Sequence, residues 1–160
     1  MKYPSTTKAQ FHRWHISRQD WEDAVKYAKA AEKTRMDQLA YDALIQMAII
    51  CYWRTFSPNE KSKTAQAVPQ IRIEELPNLS PGEEELHKQF GIYRNKPIAH
   101  SEYDYNPTRM VESGVIVNNR WGVHNIRELR LLPARIVALC EKFIDHCHMI
   151  MANHVVRNRR

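Results

Sequence analysis

IRELRLLPARIVALCEKFIDHCHMI, residues 126–150, carries the clearest fold signal in the chain. Ile126, Leu129, Leu132, Ile136, Leu139, Cys140, Phe143, Ile144, Cys147 and Ile150 recur three or four positions apart. That period lines apolar side chains along one face of an α-helix. Asn125 precedes the run and suits its N-cap. Pro133 lies inside it, lacks a backbone N–H and crowds the carbonyl four residues back, so a kink or a split in two is expected there.

Two more helices follow from the same period. Leu39, Ala40, Ala43, Leu44, Met47, Ile50 and Cys51 place one from Met36 to about Phe56, apolar over much of its circumference and so expected at the centre of the fold, with Thr34 as its cap. Trp21, Ala24, Val25, Ala28 and Ala31 place another from about Trp21 to Lys33, capped by Ser17 or Asp20. Residues 1–18 show little periodicity and read as a short helix or an ordered arm. Pro81 starts a further helix in its first turn, where Glu83, Glu84 and Glu85 suit the positive end of the dipole; it runs toward His100.

Between these lie two irregular stretches. Residues 57–82 are polar, with prolines at 58, 69, 77 and 81, and read as a long, mobile loop; Ile71-Arg72-Ile73 within it alternates briefly. Val115-Ile116-Val117, Asn118-Asn119 and Arg120-Trp121-Gly122-Val123 read as a small β-hairpin turning at the asparagines, an insertion over about 111–123. The expected fold is all-α: an up-and-down four-helix-class bundle with one long polar loop and one hairpin-like insertion, as a single domain over 1–160.

Bulk properties narrow the function. A net charge of +6 and a pI near 9.3 favour an anionic partner, nucleic acid first. The basic residues are dispersed; the densest group is Arg157-Asn158-Arg159-Arg160. Cys51, Cys140 and Cys147 are an odd count within apolar helical runs, expected as free core thiols in a reducing cytosol. No signal peptide and no bilayer-length apolar run are visible, so a cytoplasmic protein without membrane contact is expected. Walker and dinucleotide fingerprints are absent from the sequence, and no cofactor is expected. His12 and His15, and His146-Cys147-His148 with Cys140, lack a recognised metal-ligand frame and read as structural.

The chemically suggestive stretch is Tyr93-Arg94-Asn95-Lys96-Pro97-Ile98-Ala99-His100-Ser101. Arginine grips a phosphate diester in a fork, and histidine moves protons near neutral pH. His100 would act as general base toward an RNA 2′-hydroxyl or as acid toward the leaving 5′-oxygen. Arg94 would stabilise the charge that builds on the phosphate, and Asn95 would orient one or the other. On an unbroken helix positions 94 and 100 stand about 120° and about 9 Å apart, too far to share a phosphate. Pro97, a helix end or a second subunit must bring them together.

The string R-N-K-P-I-A-H-S, Arg94 to Ser101, resembles the R-N-K-x-x-A-H-S form of the abortive-infection-type branch of the HEPN superfamily. Leu86 to Phe90 before it, Glu102-Tyr103-Asp104 after it, and Trp53-Arg54-Thr55-Phe56-Ser57 followed by a lysine-bearing polar loop fit the same branch. The resemblance implies an all-α bundle and a homodimer whose motifs meet in an interfacial cleft. It makes Arg94, Asn95 and His100 the active-site residues of a metal-independent endoribonuclease. Single-stranded RNA would be cut to 2′,3′-cyclic phosphate and 5′-hydroxyl ends, in a toxin or phage-defence setting with an antitoxin or nucleotidyltransferase as partner. It also implies a second class, because some HEPN bundles only bind RNA or a protein partner. Two departures from the pattern are Pro97 inside the motif and the extra 111–123 segment.

Overall fold

A computed structural model describes residues 8–57, 70–94, 108–110, 116–118 and 126–157. Its helices are α1 (Lys8–Lys33), α2 (Gln38–Arg54), α3 (Pro81–Tyr93) and α4 (Ile126–Arg157), an all-α bundle as the periodicity requires. α1 runs antiparallel to both α2 and α4. Phe11 stacks on His154 and Trp21 packs at a tilt against Phe143, while Arg13 reaches the end of α2.

α1 differs most from expectation. It is one helix of 26 residues, and Ser17 and Asp20 are interior positions rather than caps. Its buried set is Arg13, Trp14, Ser17, Trp21, Ala24, Ala28 and Ala31, an unbroken helical stripe. Two polar residues occupy buried positions in that stripe, which hides the period from a hydrophobicity reading. The three alanines leave little side-chain bulk between backbones. α1 therefore packs closely against α2 and α4 at once, and it, not α2, is the central element.

Capping also differs. The Thr34 hydroxyl donates back to the Ala30 and Ala31 carbonyls at the end of α1 (3.3 and 3.2 Å). Asp37 caps α2, its carboxylate accepting from the Ala40 N–H at 3.0 Å. At the start of α3, Ser80 and Glu83 form a capping box: the Ser80 N–H donates to the Glu83 carboxylate at 2.7 Å, and the Glu83 N–H to Ser80 Oγ at 3.4 Å. Lys142 of α4 donates to the same carboxylate at 2.8 Å, tying α3 to α4. That bond, then the Ser80 N–H, holds the Glu83 carboxyl below its usual range.

α4 passes through Pro133 as a single helix, so the expected split is not there. The proline ring is fully buried, and its apolar contacts offset the hydrogen bond that a proline cannot donate. The polar loop is also shorter and less free than expected. α3 begins at Pro81, and residues 70–80 are tied to the bundle: Ile71 and Leu76 are buried, and Ile73–Glu75 form a 3-10 turn. Lys142 donates to the Asn78 carbonyl and His146 Nε2 pairs with the Glu75 carbonyl, both at 2.9 Å. Residues 58–69 lie outside the described residues.

Strands β1 (Thr108–Met110) and β2 (Ile116–Asn118) pair antiparallel, Thr108 opposite Asn118 and Met110 opposite Ile116. This corrects the expected hairpin. Residues 116–118 pair with the upstream segment 108–110; the expected Asn119 turn and the 120–123 arm lie outside the described residues.

The buried side chains form one cluster. At its centre Trp21 meets Phe143 (5.0 Å between ring centroids), and Tyr52 meets Phe90 (5.0 Å) and Phe56 (5.4 Å). No helix among the described residues is long and apolar enough to cross a membrane.

Candidate functional site

Of the residues singled out by sequence, Arg94 is described and Asn95, Pro97 and His100 lie outside the described residues. Arg94 sits at the C-cap of α3 with helical angles (φ −61°, ψ −45°), half-buried, its N–H donating to the Phe90 and Gly91 carbonyls.

The surface beside it is built by α3 and the end of α2. Positions 84, 87, 91 and 94 fall on one stripe of α3. Residue 91 is glycine, and the gap it leaves is filled by the half-buried Trp53 indole. A Cβ placed on Gly91 would come within 2.6 Å of Trp53 Cη2. Its backbone is helical, so a side chain is excluded here by close approach and not by conformation. Gly91→Ala gains about 0.5–1 kcal/mol of helix propensity but forces the indole aside, at about 1–3 kcal/mol. A lowered melting temperature and altered tryptophan fluorescence are the expected results; a variant more stable than the parent contradicts the packing.

His87 is the residue that sequence reading passed over. Its ring lies against Trp53 (4.8 Å), Phe56 (4.7 Å) and Tyr52 (6.0 Å), and its Nδ1 is 2.9 Å from the Tyr52 hydroxyl. Burial lowers the His87 pKa, so the imidazole is neutral at pH 7; burial also pushes the Tyr52 phenol well up, so it stays protonated. The free edge of α3 here borders a groove of about 590 Å³ lined by Ile73, Leu79, Glu84, His87 and Lys88, among others. The available signal was the seven-residue interval from His87 to Arg94 with a glycine between them. The partners on α2 are set only by the tertiary fold.

The depressed His87 pKa has a stability consequence of definite sign. Between the folded pKa and the ordinary value near 6.5, the unfolded chain binds more protons than the folded one. Stability from this group is therefore full above about pH 6.5 and is lost as pH falls through the folded value. Urea unfolding of the parent and His87→Gln should show a smaller acid loss between about pH 7 and 5 in the variant. Equal pH slopes contradict the assignment.

The other clusters are structural. Cys51, Cys140 and Cys147 are buried; burial raises all three thiols, Cys147 to about 12, which makes them poor nucleophiles. Cys147 Sγ faces the Trp14 carbonyl at 3.7 Å and the His146 ring packs edge-on to Trp14. Among the described residues no group of three or more His, Cys, Asp and Glu could hold a metal ion.

Comparison with protein-family models, with curated proteins and with solved structures gives no match to this chain.

Proposed function

We propose that the protein is a metal-independent endoribonuclease of HEPN type that cleaves single-stranded RNA as a homodimer, in a toxin or phage-defence setting. The observation that carries this reading is the string R-N-K-P-I-A-H-S at residues 94–101. An all-α bundle and a basic chain are compatible with it.

The 2′-hydroxyl attacks the adjacent phosphorus, the P–O5′ bond breaks, and a 2′,3′-cyclic phosphate and a 5′-hydroxyl result. Arg94 grips the non-bridging oxygens, whose charge grows in the transition state. His100 moves a proton at one of the two oxygens in line, and Asn95 orients it. In-line attack needs a flexible backbone, which favours unpaired RNA.

The test is incubation of purified protein with single-stranded RNA in EDTA, followed by analysis of the ends. Cleavage insensitive to EDTA, with cyclic-phosphate ends, supports the reading. RNA left intact, or cut only when a divalent metal is added, overturns it.

A further inference from the structure

We propose that Trp53 is a positioning residue for Arg94, acting through the notch that Gly91 leaves in the last turn of α3; the inference rests on the ribonuclease reading above. Gly91 and Arg94 are three residues apart, so they are neighbours on the helix surface, about 60° apart in azimuth and about 4.5 Å along the axis. The Arg94 N–H donates to the Phe90 and Gly91 carbonyls, so the backbone that carries Arg94 moves with residue 91. Trp53 meets that same turn from α2. A Cβ on Gly91 would lie 2.6 Å from Trp53 Cη2, 2.8 Å from Cζ2 and 3.2 Å from Cζ3. These three atoms are the outer edge of the indole's six-membered ring, so that edge fills the notch. Glycine weakens a helix interior relative to alanine, and the seat for the indole offsets that loss here.

The indole is itself held in place. Its ring packs on His87 at 4.8 Å and on Phe56 at 5.4 Å between centroids. His87 is fixed in turn by the Tyr52 hydroxyl, 2.9 Å from its Nδ1, and the Tyr52 ring meets the buried Phe90 at 5.0 Å. Tyr52 and Trp53 are consecutive on α2, Phe90 and Gly91 are consecutive on α3, and the two pairs lock together. At its first turn α3 is tied to α4 instead, where Lys142 reaches Glu83 and Arg135 the Gly82 carbonyl. The α2 pair therefore sets the height and rotation of the far end, the turn from which Arg94 projects.

The sensitivity follows from distances. Relief of a 2.6 Å approach to an ordinary carbon contact of about 3.5–4.0 Å requires a shift of about 1 Å. With His87 and Phe56 walling the indole, the end of α3 takes up that shift. Displacement of a phosphate-gripping group by about 1 Å costs about 100-fold in rate.

The experiment measures kcat and KM on single-stranded RNA for parent, Gly91→Ala, Trp53→Phe and the double variant, at a temperature where circular dichroism shows each folded. A phenyl ring lacks the outer indole edge, so in the double variant the new methyl enters the space that edge vacates. Gly91→Ala should lose about 10- to 100-fold in kcat and Trp53→Phe about 10-fold, with KM within about 3-fold of the parent. The double variant should recover to within about 3-fold of the parent kcat, a non-additivity expected of groups in contact. In an Arg94→Ala background Gly91→Ala should change the residual rate by less than about 2-fold, because its effect runs through Arg94. A structural role alone lowers the melting temperature and leaves the kcat of folded protein at the parent value. Parent-like kcat in folded Gly91→Ala, while Arg94→Ala is strongly impaired, overturns the proposal and leaves the ribonuclease reading intact. A loss of equal size with and without Arg94 overturns it too. An inactive parent removes the reading and the proposal together. If Gly91→Ala does not fold, the double variant must turn over faster than Trp53→Phe; equal or slower turnover overturns the positioning role.

Discussion

Arg94→Ala is expected to lower kcat on single-stranded RNA by about 100- to 1,000-fold while changing RNA affinity much less. Phosphate charge in the ground state is spread over two oxygens and satisfied by water. In the pentacoordinate transition state that charge grows, and only a donor already in place meets it without reorganisation. Arg94 lies at the C-cap of α3, where its backbone N–H supplies the capping bonds to Phe90 and Gly91. Alanine keeps that N–H, so the variant should remain folded, and circular dichroism checks this. Arg94→Lys retains the charge but loses the two-pronged fork, and only partial recovery is expected. Single-turnover rates with saturating RNA are the deciding measurement. Parent-like rates in a folded Arg94→Ala protein remove Arg94 from the active site.

The second large effect is on stability. Arg13→Ala should destabilise the protein by about 2–3 kcal/mol, the range for loss of buried hydrogen bonds to a charged donor. That corresponds to roughly 5–10 °C in melting temperature for a chain of this size. The Arg13 guanidinium is 3% exposed and donates to the Arg54 carbonyl at 3.0 Å and to the Thr55 carbonyl. Both carbonyls lie at the C-terminal end of α2; each also accepts a backbone N–H, Ser57 at Arg54 and Ile71 at Thr55, and the guanidinium fills their second acceptor site. A cation at this end also meets the negative pole of the helix dipole. Burial lowers the Arg13 pKa, an effect opposed by Asp20 on the same helix. Burial likewise raises the Asp20 carboxyl against the pull of Arg54 and Arg13. Arg54 stands 3.7 Å from Asp20, so removal of Arg13 leaves that carboxylate one cation and the cost stays below that of a wholly orphaned charge. Thermal unfolding of Arg13→Ala beside Arg13→Met separates the lost hydrogen bonds from the lost stem packing, since methionine retains the apolar stem. A shift within about 0.5 kcal/mol for both would mean that water replaces the guanidinium at the α2 terminus.

Arg13 also explains why half of α1 escaped the sequence. Positions 14, 17, 21, 24, 28 and 31 keep helical spacing, but a serine sits on the buried stripe and an arginine beside it. The burial of Arg13 makes sense only beside the Arg54 and Thr55 carbonyls, more than forty positions away. The cap of α2 followed a similar rule: Thr34 and Asp37 are both good N-caps by type, and the choice fell to the residue whose carboxylate reaches the Ala40 N–H. Residues 116–118 pair with 108–110, a partner that the alternation within 115–123 does not specify.

Sequence alone determined that the chain is helical, the span of α2 to within a few residues, the starts of α3 at Pro81 and α4 at Ile126, and the Arg94 motif as its chemically suggestive element. These rest on local periodicity and capping, which short stretches of chain carry within themselves. Tertiary structure alone decided that α1 is central, that Arg13 closes the end of α2, and that His87 meets Tyr52 and Trp53 beside Arg94. Those depend on groups far apart in the chain meeting in a buried setting, where hydrogen bonding and desolvation, absent from any local pattern, set the energies.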